Sequence, residues 1–163
     1  DIYVCQSLNE FRKFEFTLNW DENQFLGCQV LIGNKNARFL KFVLETYKLY
    51  DTSKWYYNAG ELPTTAILYK YPHLIHRIKV KFGVDAPAVC PFFYKQYHHD
   101  WMQQFYTFHM VMRGNEISWK DWCLGPDKPK HMKFDDKIIK TLNNTFGEMA
   151  RWALFGKKEI IYD

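Results

Sequence analysis

The sequence predicts an α/β fold, a mixed sheet with flanking helices, and three observations carry that prediction. Short apolar runs at residues 1–4, 14–18 and 26–32 have strand character. Phe39, Leu40, Val43, Leu44 and Tyr47 instead recur at the 3.6-residue period of a helix. Segments of the two kinds interleave along the chain, and no repeat, low-complexity stretch or Pro/Gly/Ser-rich linker divides them, so residues 1–163 read as one domain or part of one.

Residues 1–4 alternate into a short strand, and a chain that opens inside such a pattern, on Asp1 without a methionine, reads as a fragment of a longer protein. Gln6-Ser7-Leu8-Asn9 is a turn before the second extended stretch, residues 14–18. After a polar loop, residues 26–32 are almost continuously apolar and end at Gly33-Asn34, the pattern of a strand buried on both faces at the centre of the sheet. Asn36 is a plausible cap for the helix through Phe39 and Tyr47, which ends in Asp51-Thr52-Ser53 and packs on that strand. Residues 55–60 form a loop and residues 61–71 a second helix, with Pro63 early and Pro72 beyond its end. Residues 77–82 and 106–111 alternate as strands, residues 83–91 and 114–133 are irregular, and residues 135–155 close the chain as a helix broken near Gly147.

Composition excludes several function classes. With 22 basic and 18 acidic residues the net charge is only +4, and the basic residues are dispersed, so no nucleic-acid footprint is expected; Lys128-Pro129-Lys130-His131 and Lys157-Lys158 are short solvated runs. No run approaches the roughly 18 apolar residues of a membrane span, and no signal segment lies within these residues, so any membrane anchor is expected only outside them. A phosphate-cradling glycine loop, G-x-S-x-G and H-E-x-x-H are all lacking. None of Cys5, Cys28, Cys90 and Cys123 has zinc-ribbon spacing; the first two lie in apolar runs and read as buried thiols, while Cys90 and Cys123 could pair in an oxidising lumen. Asn143-Asn144-Thr145 is a glycosylation sequon that carries meaning only in a secretory chain.

Aromatic residues make up 19% of the chain, many in polar contexts, which suits the binding of sugars or bases. Two groups have site character. The turn Asn58-Ala59-Gly60-Glu61-Leu62-Pro63 follows Trp55-Tyr56-Tyr57 and is either a capping turn or a place where Asn58 and Glu61 hydrogen-bond a polar ligand while a ring of the run Trp55 to Tyr57 stacks on it. His109 lies in a strand pattern, where it is either a satisfied core residue or a ligand at a strand end facing a cleft. His73 and His76 have helical i, i+3 spacing, but Pro72 before them favours ordinary surface histidines.

As an ordered set, Asp1-Ile2-Tyr3-Val4, Phe11-Arg12-Lys13-Phe14-Glu15, the strand 23–32, Asn36-Ala37-Arg38-Phe39-Leu40, Trp55 to Pro63 and Asn144 to Arg151 resemble the DXD-containing glycosyltransferases of family 32. The resemblance spans most of the chain and is strongest over residues 1–82. It implies the C-terminal portion of a GT-A-like nucleotide-sugar transferase fold, with the first aspartate of the DXD pair and the nucleotide-binding strands lying upstream. Asp1 then matches the second aspartate, a ligand of Mn²⁺ (or Mg²⁺), and His109 is the candidate that completes the shell. Arg113 would meet a phosphate, and Asn58, Gly60, Glu61, Trp55 and Tyr57 would line the sugar pocket. The implied partners are a nucleotide-sugar donor and a glycan or glycolipid acceptor, in the Golgi or secretory lumen. A non-catalytic carbohydrate-binding domain of the same fold is the alternative.

Overall fold

The computed structural model describes residues 2–83, 100–109 and 135–162. These fall into two compact units, one formed by residues 2–83 with 101–109 and the other containing residues 135–162. The first unit is mixed α/β. Its elements are β1 (Ile2–Val4), β2 (Phe16–Asn19), β3 (Gly27–Gly33), α1 (Arg38–Thr46), β4 (His76–Ile78), α2 (Trp101–Gln104) and β5 (Thr107–His109).

Three strands form a mixed sheet in the order β3-β2-β4, with β2 antiparallel to β3 and parallel to β4. The centre is therefore β2, all four of whose residues are buried, and not the more apolar stretch 26–32. That stretch contains Gly27 and Gln29 and takes the edge, where Cys28 and Leu31 are exposed. Cys28 is thus not the buried thiol its surroundings predict. The central strand escapes a hydrophobicity reading because Thr17 and Asn19 occupy half of it, yet both are essentially buried. Phe16 and Leu18 project into a core with Trp20, Leu26, Ala37, Phe39, Ile67, Leu68 and Leu74. Phe11, Val30 and Phe82 form a second buried cluster. Each large apolar side chain removed from water in this way contributes about 1.5–3 kcal/mol.

The predicted first helix is present as α1, but its cap differs. Asn36 sits in the left-handed region at φ 68°, Ala37 precedes the helix, and the free N–H of Arg38 donates to the Glu15 carboxylate at 2.6 Å. The same carboxylate takes the Arg38 guanidinium through Nε and Nη2 at 2.7–3.1 Å. A remote acidic side chain thus does what a local cap residue does elsewhere. Phe39 and Thr46 are buried and Val43 is partly so, while Leu40, Leu44 and Tyr47, the other flank of the predicted stripe, remain exposed.

Residues 57–60, expected as part of a loop, are helical together with Glu61. Two π-helical turns, Tyr57–Glu61 and Thr64–Leu68, flank Leu62 and Pro63. Pro63 has no N–H to give to the carbonyl four residues back, and its ring crowds that carbonyl, so a widened turn there is physically reasonable. Thr64, fully buried, ties the segment to the sheet: its hydroxyl donates to Gly60 O at 2.7 Å and accepts from Leu26 N at 2.9 Å.

The strand expected over residues 77–82 is shorter and earlier. After β4 a 3-10 turn, Val80–Phe82, drives the Phe82 ring into the core, and Gly83 follows in the left-handed region at φ 54°. In the two-stranded antiparallel sheet of β1 with β5, Ile2 pairs with His109. Of the strand expected over 106–111, residues 110 and 111 lie outside the described residues.

In the second unit the predicted closing helix is two helices, α3 (Asp136–Thr141) and α4 (Thr145–Phe155). The break falls at residues 142–144, before Gly147, because Asn144 caps α4 by accepting the Gly147 N–H at 2.8 Å. Gly147 is needed for close approach: a Cβ there would lie 2.1 Å from the Leu142 carbonyl oxygen. Arg151, 4% exposed, binds the carbonyls of Ile139 (3.0 Å) and Leu142 (2.7 Å) through Nη1 and that of Lys158 (2.9 Å) through Nε. Asn143 of the sequon is exposed in the turn. Among the described residues, no helix is long and apolar enough to cross a membrane.

Candidate functional site

A polar cleft of about 300 Å³ opens on the first unit, lined by Asn19, Gln24, Phe25, Gly27, Gln29 and Tyr56. Its origin is an irregularity in the sheet. The β2–β3 register runs from Leu18 opposite Leu31 to Asn19 opposite Gly27, so residues 28–30 have no counterpart on β2 and bulge. Such bulges redirect side chains at sheet edges.

The bulge leaves two amide oxygens without donors. Asn19 is 2% exposed, and its Nδ2 donates to Asp21 Oδ2 at 3.0 Å, which orients the amide; its Oδ1 has no hydrogen-bond partner. Gln29 Oε1 is likewise buried and unpartnered. Gly27 lies against both side chains: a Cβ on it would come within 2.7 Å of Gln29 Oε1 and 3.4 Å of Asn19 Cβ and Nδ2. The carboxylate behind Asn19 is occupied on its other oxygen by the Val80 N–H at 3.0 Å. On the next residue, the Trp20 indole donates to Gln24 O at 3.0 Å and stacks under the Arg77 guanidinium, 4.4 Å from the ring centre.

Tyr56 supplies an aromatic wall. It occupies the left-handed region at φ 64°, and its carbonyl accepts from both Gly60 N (2.9 Å) and Glu61 N (3.3 Å). Its ring crosses Gly60 so closely that a Cβ there would fall 2.1 Å from a ring carbon. The phenol donates to Leu26 O, and burial pushes its pKa up to about 12. Tyr56 therefore stays a neutral donor throughout the physiological range.

The residues singled out from sequence distribute unevenly around this cleft. Asn58 closes a loop: its Oδ1 accepts from Asp51 N at 2.9 Å and its Nδ2 donates to Asp51 O at 2.7 Å. Gly60 is buried and serves the Tyr56 ring; Glu61 is half-buried and its carbonyl accepts from the Thr65 hydroxyl at 2.9 Å. Trp55 is 96% exposed, and the ring of Tyr57 lies under Lys54 Nζ, 4.5 Å from its centre. Neither is among the residues lining the cleft. His109 belongs to the two-stranded sheet, half-buried, with its N–H on Gly83 O at 3.0 Å. Burial lowers its pKa below the ordinary histidine value, so the imidazole is neutral at pH 7. Asp1 and Arg113 lie outside the described residues, as do Cys90, Cys123, His98, His99 and His131. His73 and His76 do not share a helical face: His73 is exposed in a 3-10 turn, and His76 lies in β4 stacked on Phe14 at 3.5 Å. Among the described residues, no three His, Cys, Asp or Glu side chains are grouped to hold a metal ion.

Asn19 and Gln29 carry no signal in the sequence reading, and Tyr56 is in it only as one ring of the run Trp55 to Tyr57. The available signal was Gly60 four residues after Tyr56, a spacing at which a ring lies over a missing side chain on one helical turn. Compared with known proteins, the chain matches no family model, no curated protein and no solved structure.

Proposed function

We propose that this chain is the C-terminal portion of a GT-A-like, DXD-type glycosyltransferase that moves a sugar from a nucleotide-sugar donor to a glycan or glycolipid acceptor in the secretory pathway. The observation that carries this reading is the cleft: two buried amide oxygens lacking donors, beside a tyrosine ring held by the motif from Trp55 to Pro63, suit a ligand bearing several hydroxyls. In the motif itself, Asn58 and Gly60 keep the chain folded so that Tyr56 faces the cleft.

A divalent cation, Mn²⁺ or Mg²⁺, belongs to the proposal. His109 fits as a nitrogen ligand because its half-buried imidazole is neutral at pH 7. When bound, the ion would neutralise charge on the departing diphosphate. The chain's own contribution is to orient the sugar through Asn19, Gln29 and Tyr56 and to keep His109 unprotonated. Arg113 is the proposed phosphate contact.

The cleft lining contains no carboxylate, which favours a second reading as a carbohydrate-binding domain without turnover. One experiment separates them: express the chain together with the residues that precede Asp1 in its gene and assay hydrolysis of a panel of nucleotide sugars with Mn²⁺ and with chelator. Metal-dependent hydrolysis, lost on Asp1→Ala with the fold intact, supports the transferase; sugar binding with no hydrolysis supports the binding domain.

A further inference from the structure

We infer that the cleft between β2 and the β3 bulge is a saccharide subsite that takes a single pyranose ring, with Asn19 Oδ1 and Gln29 Oε1 accepting its hydroxyls and Tyr56 as the wall it stacks on. The inference deepens the proposed function and rests on it for its biological setting; the chemistry comes from the cleft itself. A buried amide oxygen without a donor is unfavourable, so the cleft is built for a ligand that donates. Gln29 Oε1 lies against Gly27, which stands opposite Asn19 in the strand register and has no side chain to fill the space there. The described lining carries no Lys or Arg to balance a phosphate's charge, so the diphosphate of a nucleotide sugar belongs elsewhere. A cationic amine finds no carboxylate among the described residues that line the cleft. What remains is a neutral ligand with several hydroxyls. About 300 Å³ lies at the small end of the roughly 300–1,000 Å³ range of ligand clefts, which is room for one sugar ring and not for a nucleotide. Phe25, 41% exposed at the rim, and Tyr56 offer apolar faces for the C–H side of such a ring.

The test uses the isotope-labelled full chain and follows the side-chain NH₂ signals of Asn19, Gln24 and Gln29 by NMR. It is titrated separately with glucose, galactose, N-acetylglucosamine and N-acetylgalactosamine, and with UDP, inorganic phosphate and MgCl₂ as controls. The expected result is saturable shifts of these signals with at least one monosaccharide, at a dissociation constant on the order of millimolar. Gly27→Ala, which fills the floor, and Gln29→Leu, which removes an acceptor on the edge strand, should each weaken that binding by about tenfold, the value of one hydrogen bond. If one variant does not fold, the other decides. Three results overturn the inference: no sugar moves the signals, only UDP, phosphate or Mg²⁺ moves them, or sugar binding is unchanged in a folded variant. Metal-dependent turnover by the upstream-extended chain with a silent cleft would sink this subsite and leave the proposed function standing. Sugar binding in the cleft without turnover would do the reverse.

Discussion

Replacing Gly60 by alanine separates two physical expectations of opposite sign. Helix propensity alone says that Gly→Ala inside a helical turn stabilises by up to about 1 kcal/mol. The geometry says otherwise, because the new methyl would lie 2.1, 2.6 and 2.7 Å from three carbons of the Tyr56 ring. That ring must move. Its phenol then leaves the carbonyl of Leu26, a residue only 2% exposed, and stranding such an acceptor costs about 1–3 kcal/mol. Residual crowding adds about 1–3 kcal/mol. Setting the propensity gain against both leaves a net destabilisation of about 1–5 kcal/mol, or a drop of about 0.5–2.5 M in the urea midpoint for a slope near 2 kcal/mol/M. Urea unfolding followed by far-UV circular dichroism measures it. The control is the same substitution in a Tyr56→Ala background, where the clash is gone and Gly60→Ala should turn stabilising; the two changes are then non-additive. Stabilisation by Gly60→Ala in the otherwise unaltered chain would refute the argument, and with it the idea that the glycine exists to seat the tyrosine.

Three further outcomes are expected. Arg151→Met should destabilise the α3–α4 unit on the order of 3 kcal/mol, since it orphans backbone carbonyls bound by a buried guanidinium, and hydrogen exchange should quicken over residues 135–162. Glu15, held at about 2 by the hydrogen bonds of Arg38, contributes stability that is complete above the unfolded carboxyl value of about 4.3 and is lost as pH falls toward 2. The thermal midpoints of the native chain and Glu15→Gln should therefore converge between pH 5 and pH 2, and a gap constant across that range would be contrary. Exposed Cys28 should react with N-ethylmaleimide at pH 7.5 well before Cys5, half-buried with its pKa pushed up to about 11, as read by peptide mass spectrometry; the reverse order would contradict the burial assigned to them.

Elements whose residues repeat at a strand or helix period were legible in the sequence, even where half of the repeating residues stay exposed. The strand at residues 2–4, the helix through Phe39 and Val43, and the mixed α/β class all follow from that pattern. What failed were elements set by polar contacts at a distance. The β2 strand is central because Thr17 and Asn19 are buried between neighbours that no local window contains. The start of α1 depends on Glu15, 23 residues upstream of the N–H it accepts. Residues 57–60 have the sequence of a loop because Asn58 and Gly60 are helix-averse, yet Asn58 is engaged by Asp51 and Gly60 by the Tyr56 ring, contacts that outweigh propensity. The Asn144 cap of α4 was the opposite case, a purely local signal that the apolar run from Ile138 to Leu154 obscured.

The candidate site was only half legible for a related reason. The motif from Trp55 to Pro63 drew the eye to its hydrogen-bonding residues, and the structure gives those residues internal work. The chemistry facing the cleft comes from side chains that look unremarkable in sequence: an asparagine ending a central strand, a glutamine in a bulge, and the middle tyrosine of three aromatics. A bulge cannot be read from a strand's own residues, since it exists only as a mismatch in count between two strands, here Leu18 to Asn19 against Leu31 to Gly27. The same mismatch removes the ladder partners that would have covered residues 28–30 and strands the Asn19 and Gln29 oxygens. An unpaired buried polar group persists only where the surrounding structure outweighs its cost or where a ligand relieves it. Thr17 Oγ1, also unpartnered but outside the cleft lining, is of the first kind; the two amides that do line the cleft, beside one glycine and near a ring held by a second, are assigned to the second.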